Sequence, residues 1–334
     1  MDHRSNRVRI EIERLESRTL FSSSYNVVDL GVQAEVGPGA KAGASLNNHG
    51  DILIQGATMS SSSVYQNGQL IPMSTYAPKL AKHRKALPLF IDDAGDIVGT
   101  FYAGHTALVA PPGMHTSVRY RVPMTDVFLF DGKHFKDISI GTPQAVAGSG
   151  VVVGTTDVLF AQNYGWVGSD KSFLYFHGRR KTFVVARGVN ANGDCLLPGN
   201  QIYMAATHTT RTFSQDNTLG GVLINDSDQV VAQDSAGNWF LVSSTGQSTQ
   251  LDALGLYDAA VAINDSGAVV GTVDNYPFLD ANGSIEDLNS LAPPSETGWT
   301  LTGVTSINNS GQILASGVSA PGAPTHQLLL LPAG

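Results

Sequence analysis

From Tyr25 onward, apolar and polar positions recur in one repeating unit. An apolar residue is followed by Asn or Asp, two polar residues, a Gly and then a β-branched run. The clearest copies are Ile263-Asn264-Asp265-Ser266-Gly267 before Val269-Val270-Gly271, and Ile307-Asn308-Asn309-Ser310-Gly311 before Ile313-Leu314. Leu46-Asn47-Asn48-His49-Gly50, Ile91-Asp92-Asp93-Ala94-Gly95 and Val189-Asn190-Ala191-Asn192-Gly193 follow the same plan. Ile224-Asn225-Asp226-Ser227-Asp228 has lost its glycine, and Ala147-Gly148-Ser149-Gly150 is a shortened copy. The glycine position falls at 50, 95, 150, 193, 228, 267 and 311. A period of about 44 residues is the size of a propeller blade.

The unit predicts a hairpin. Asn or Asp at the first turn position bonds its own backbone two residues on, and Gly takes the φ > 0 position. The runs after it, such as Val151-Val152-Val153, are continuously apolar, as in a strand buried on both faces. A second turn signal lies between these hairpins: Asn67-Gly68, Asp131-Gly132, His177-Gly178, Thr245-Gly246 and Asn282-Gly283. Such pairs suit the two-residue type I′ hairpin, so each repeat holds two hairpins and therefore four strands. In the fourth repeat, residues 201–213 show no clean turn pair.

The ends complement each other. The opening stretch Tyr25-Asn26-Val27-Val28-Asp29-Leu30-Gly31 matches the second strand of the variable hairpin, and Gln327-Leu328-Leu329-Leu330-Leu331 matches the first. Pairing the two makes seven complete blades and leaves no open sheet edge. The expected fold is all-β: a seven-bladed β-propeller of four-stranded antiparallel blades, closed by its N- and C-terminal strands. Residues 25–334 form this single domain, and residues 1–24 a leader or export-type segment that does not pack on it.

Composition narrows the class. With 36 glycines, 14% charged and 42% hydrophobic residues in 334, the chain is turn-rich yet has ample apolar material for a large core. A net charge of −8 argues against nucleic acid as a partner, because that binding depends on neutralising phosphates. No apolar run reaches the ~18 residues of a membrane span. Cys195 is the only cysteine, so there is no internal disulfide, and Cys195-Leu196-Leu197 reads as buried core.

The leader carries Arg4, Arg7, Arg9, Arg14 and Arg18 among Glu11, Glu13 and Glu16, without the apolar stretch of an ordinary secretory signal. The run Leu15-Glu16-Ser17-Arg18-Thr19-Leu20-Phe21-Ser22 resembles the LEPR-XLL segment of planctomycete surface proteins, with Ser17 where that segment has proline. A charged, disordered tail is the alternative. Over most of 25–334, the alternation of an apolar strand, Asn-Gly, a strand ending Asp-Leu-Gly and then Ile-Asn-x-x-Gly-x-Val-Val-Gly resembles the HAF-family extracellular repeat. The resemblance implies an extracellular or cell-surface setting and a propeller-like fold. It brings no activity with it.

The chemistry is sparse. The nine histidines show no i, i+4 pairing, and the Asn-Asp-Ser-Gly loops offer too few carboxylates for the six to eight oxygens calcium takes. No catalytic, cofactor-binding or metal-binding residue is assigned, and no cofactor is expected. Two insertions break the repeat: 79–88, with Lys82, His83, Arg84 and Lys85, and 102–123, with His105, His115, Arg119 and Arg121. Functional residues concentrate on loops held by a rigid scaffold, so these eight are the candidate ligand contacts. An acidic protein with a cationic patch suits an anionic surface polymer or a protein partner, the chain itself being a monomer. Two functions remain: a noncatalytic surface protein presenting loops, or a secreted propeller lyase or hydrolase acting on a carbohydrate. The enzyme requires several acids, bases or ligands converging on the channel, whose lining positions read as mainly small or apolar.

Overall fold

The computed structural model describes residues 25–33, 43–82, 86–104, 106–109, 120–123, 125–148, 150–155, 172–176, 179–183, 186, 188–251, 259–273, 276–281 and 283–333. The expected leader, 1–24, lies outside them. The described residues form a seven-bladed β-propeller. The strands of each blade are lettered a to d from the central channel outward. Blade one is Ala44–Leu46, Ile52–Ile54, Ser63–Gln66 and Gln69–Pro72; blade two is Leu87–Ile91, Ile97–Phe101, Asp126–Phe130 and Phe135–Ile140. Blade three is Thr142–Ala147, Val151–Thr155, Ser172–Phe176 and Arg179–Phe183. Blade five is Gly220–Ile224, Val230–Gln233, Trp239–Val242 and Ser248–Gln250; blade six is Ala259–Ile263, Val269–Val273, Tyr276–Ala281 and Ser284–Asp287.

Blade seven takes Thr300–Ile307, Ile313–Val318 and His326–Pro332 from the end of the chain and its d strand, Tyr25–Val32, from the beginning. The register runs Asn26 to Leu331, Val27 to Leu330 and Val28 to Leu329, the closure expected from the ends. Leu328, Leu329 and Leu330 are fully buried between blades.

Blade four departs from the expectation. Its variable hairpin, Gln201–Met204 with Thr209–Thr212, is regular, and His208 rather than glycine takes the positive φ in its turn. The incomplete part is the inner edge, where the Val189–Cys195 bridge and the bond from Leu196 N–H to Gly188 O stand in place of a full a strand. The second turn signal also needs correction. Asn67-Gly68 turns with both residues at positive φ. Asp131-Gly132 and Thr245-Gly246 instead sit in longer turns, closed by Asp131 N–H to His134 O and by Ser243 N–H to Gln247 O. His177, Gly178 and Asn282 lie outside the described residues.

The b strands are the buried centre of every blade. Ile52-Leu53, Ile97-Val98, Val151-Val152-Val153, Cys195-Leu196, Val230-Val231-Ala232, Val269-Val270 and Ile313-Leu314-Ala315 are all buried, as a strand covered by neighbouring blades requires. The glycine ending the Val-Val-Gly run has a steric cause: a Cβ at Gly99 or Gly271 would collide with the carbonyl of Leu87 or Ala259 and with the ring of Phe128 or Phe278. The a strands of blades two, three, five, six and seven carry a register shift, which bends them round the channel. No helix among the described residues is long and apolar enough to cross a membrane.

Candidate functional site

Strand alternation sorts the connections between two faces of the disk. The a–b and c–d turns lie on one face, and the b–c and d–a connections on the other. The a–b turns, 47–51, 92–96, 190–194, 225–229, 264–268 and 308–312, are short and alike. The longer connections 102–125 and 288–299 belong to the opposite face.

The a–b turns close one mouth of the channel with a ring of hydrogen bonds between blades. In each turn the first Asn has two tasks. Asn264 Oδ1 accepts from the backbone N–H of Ser266 and Ala268, holding its own turn, while its Nδ2 donates to Asn308 O in blade seven at 3.1 Å. Asn308 donates in turn to Asn47 O, Asn47 to Asp92 O, Asn190 to Asn225 O and Asn225 to Asn264 O. An amide offers an acceptor to one turn and a donor to the next from two separate atoms, which an ionised carboxylate cannot do. The left-handed position falls on Gly50, Gly95, Gly193, Gly267 and Gly311, and on Asp228 (φ 59°) where the glycine is lost.

Blade two carries Asp92 in place of Asn, and the bond to its neighbour reverses. Asp92 Oδ1 accepts from Ala94 and Asp96 N–H, and Oδ2 accepts from Gly150 N–H in the shortened turn of blade three. Burial pushes its carboxyl up to about 6, against the lowering effect of those N–H bonds. At the next blade boundary, Gly148 faces Ala191 so closely that it has no room for a side chain.

A second ring, formed by the next residue of each turn, lies outside the first. Backbone N–H groups of Asn48, Ala191, Asp226, Asp265 and Asn309 donate to the side chains of Asp93, Asp226, Asp265, Asn309 and Asn48, each in the next blade. Inside the rings lies a cavity of about 180 Å³, lined by Leu46, Ile91, Ala147, Val189, Ile224, Ile263 and Ile307, the apolar residue preceding each turn, together with the Asn and Asp of the turns. Contrary to the expected small or apolar lining, most of the surface facing this cavity is polar and comes from the Asn and Asp of the turns, Asp93, Asp226 and Asp265 among them. Asp226 is raised by burial and by the nearby charges of Asp265, Asp93 and Asp228. Each of the three carboxylates accepts a backbone N–H from the preceding blade. Among the described residues no group of three or more His, Cys, Asp or Glu is arranged to hold a metal ion.

Of the eight predicted contact residues, Lys82 and Arg121 are among the described residues, and both sit in connections of the other face. Lys82 is exposed and closes the short turn Leu80–Lys82, anchored by buried Leu80 in the connection from blade one to blade two. Leu87 and Pro88, counted with this insertion, belong instead to the a strand of blade two. The second insertion is the b–c connection of blade two and contains a small hairpin, Thr106–Val109 with Tyr120–Pro123, in which Arg121 pairs with Leu108. His83, Arg84, Lys85, His105, His115 and Arg119 lie outside the described residues. Both insertions thus emerge from neighbouring blades on one face. Sequence reasoning misses the amide ring as a device between blades, although the recurring Asn before a second amide or acid is its visible signal.

No family model matches the chain, and no curated protein matches it. Among solved structures it is similar to YCF48 from Cyanidioschyzon merolae, at 11% identity over 92% of this chain and 99% of that one, with a TM-score of 0.49. It is also similar to a chain of the mitotic checkpoint complex, at 8% identity over 96% and 97%, with a TM-score of 0.46. A gluconolactonase from Xanthomonas campestris aligns at 11% identity over 87% and 71%, with a TM-score of 0.31. Likeness at this level concerns architecture only.

Proposed function

We propose that the chain is a noncatalytic extracellular or cell-surface binding module, whose closed ring presents the long connections of one face to an anionic surface polymer. The observation that carries this is the contrast between the two faces. The channel mouth commits its amides and carboxylates to bonds between blades, whereas residues 73–86 and 102–125 carry Lys79, Lys82, Arg84, Lys85, Arg119 and Arg121 with no acid between them. The HAF-like repeat and the LEPR-XLL-like leader support the extracellular setting.

The test is titration of the full chain with heparin, a polysulfated probe, over a range of salt concentrations. The parent binds with an affinity that falls as salt rises, and replacing Lys82, Arg84 and Lys85 by Ser weakens binding at least about tenfold. Salt-independent binding, or a triple variant that binds like the parent, overturns the proposal.

The gathering of Asp93, Asp226 and Asp265 favours a second reading, a carbohydrate lyase or hydrolase working at the channel mouth. Such an enzyme releases new sugar ends from acidic polysaccharides and loses that activity in Asp265→Asn. A binding module releases none.

A further inference from the structure

The charges are divided by blade. All 20 Lys and Arg of the chain lie at or before Arg211, and residues 212–334, which build blades five and six and most of blade seven, hold twelve Asp and Glu without a single Lys or Arg. On the long-connection face this becomes a spatial partition. Lys79 and Lys82 are exposed in the connection between blades one and two. Asp216 is exposed between blades four and five, and Asp287 and Glu296 between blades six and seven. In a seven-bladed ring, blades five and six lie across the channel from blades one and two. Asp216 is also held below the ordinary carboxylate range by hydrogen bonds from Thr218, so it stays charged.

We infer that an anionic polysaccharide on this face is held off-axis, over blades one and two, and does not reach the acidic residues of the connections from blade four to five and from blade six to seven. This rests on the binding proposed above and adds its orientation. Attraction and repulsion act over the same short range, because at physiological salt the screening length is roughly 8 Å. Asp216 lies three blades and Glu296 two blades from Lys79 and Lys82, so a short ligand seated on the lysines feels little of either carboxylate.

The experiment uses the full chain and a short heparin oligosaccharide at physiological salt, with thermal melting as the check that each variant is folded. Lys79→Glu with Lys82→Glu lowers affinity by about tenfold or more, whereas Asp216→Lys with Glu296→Lys changes it by less than about twofold. Bound ligand protects Lys79 and Lys82 of the parent from acylation. If the second pair raises affinity as strongly as the first pair lowers it, or if ligand leaves Lys79 and Lys82 fully reactive, the attraction is diffuse and the orientation is wrong. A parent that does not bind the oligosaccharide removes the underlying proposal and the orientation with it.

Discussion

Asn264 shows how much one side chain carries in this fold. Its Oδ1 holds its own turn and its Nδ2 reaches the carbonyl of Asn308, so truncation leaves buried partners on both sides without a bond. Losing such a group costs ~1–3 kcal/mol per unsatisfied partner, and Asn264→Ala should lower the melting temperature well beyond the effect of a surface change such as Ser235→Ala. Asp92 adds a pH dependence. Its folded value, about 6, lies above the ordinary 3.8, so its contribution to stability is fully present below about pH 4 and is lost as the pH rises through 6. Asp194 and Asp226 are raised by burial in the same direction, while the half-buried, hydrogen-bonded Asp131 and Asp234 are lowered and act oppositely at more acid pH. Thermal melts from pH 4 to 7 should show the parent losing stability relative to Asp92→Asn as the pH rises; a constant difference would contradict this. The turn role of these residues is legible in the sequence because it is local. The bond to the next blade is not, since its partner lies a whole repeat away.

At the scale of the element, alternation and turn chemistry predict most strands and their burial. They fail where a turn residue has two solutions: Asp131-Gly132 and Thr245-Gly246 carry glycine at positive φ in turns longer than two residues. Blade four lacks such a pair, yet His208 turns the chain there, bonded through Nδ1 to Tyr203 Oη at 2.7 Å. The final glycine of Val-Val-Gly reads as a strand end, but its cause is the a-strand carbonyl and the c-strand ring above it. Gly271→Ala should therefore destabilise by several times the effect of Gly283→Ala in an open turn, measured by chemical denaturation. The closing strand gives the largest effect. Removing residues 325–334 takes away three fully buried leucines worth ~2 kcal/mol each and exposes the edge of Tyr25–Val32. Melting and size-exclusion should show a collapse in stability or self-association, where deletion of residues 2–9 shows neither.

Across the whole molecule, the blade number and the closure follow from the repeat period and the two complementary ends. The assignment of loops to faces follows from strand parity once four strands per repeat are recognised. The ligand is not legible in the same way, because the repeat specifies the scaffold and the long connections fall outside it. Charge is the exception: the confinement of Lys and Arg to the first part of the chain stands in the sequence, and gains meaning only when the ring sets blades one and two across from blades five and six. The central claim is that the ring mouth is structural and the opposite face binds. Amide hydrogen exchange of the full chain, with and without a heparin oligosaccharide, tests it most directly. The account predicts slow exchange at Asp226, Asp265 and Asn309 that ligand leaves unchanged, with added protection confined to the connections of blades one and two. Added protection in the turns 225–229 and 264–268, with none on the long-connection face, would contradict it.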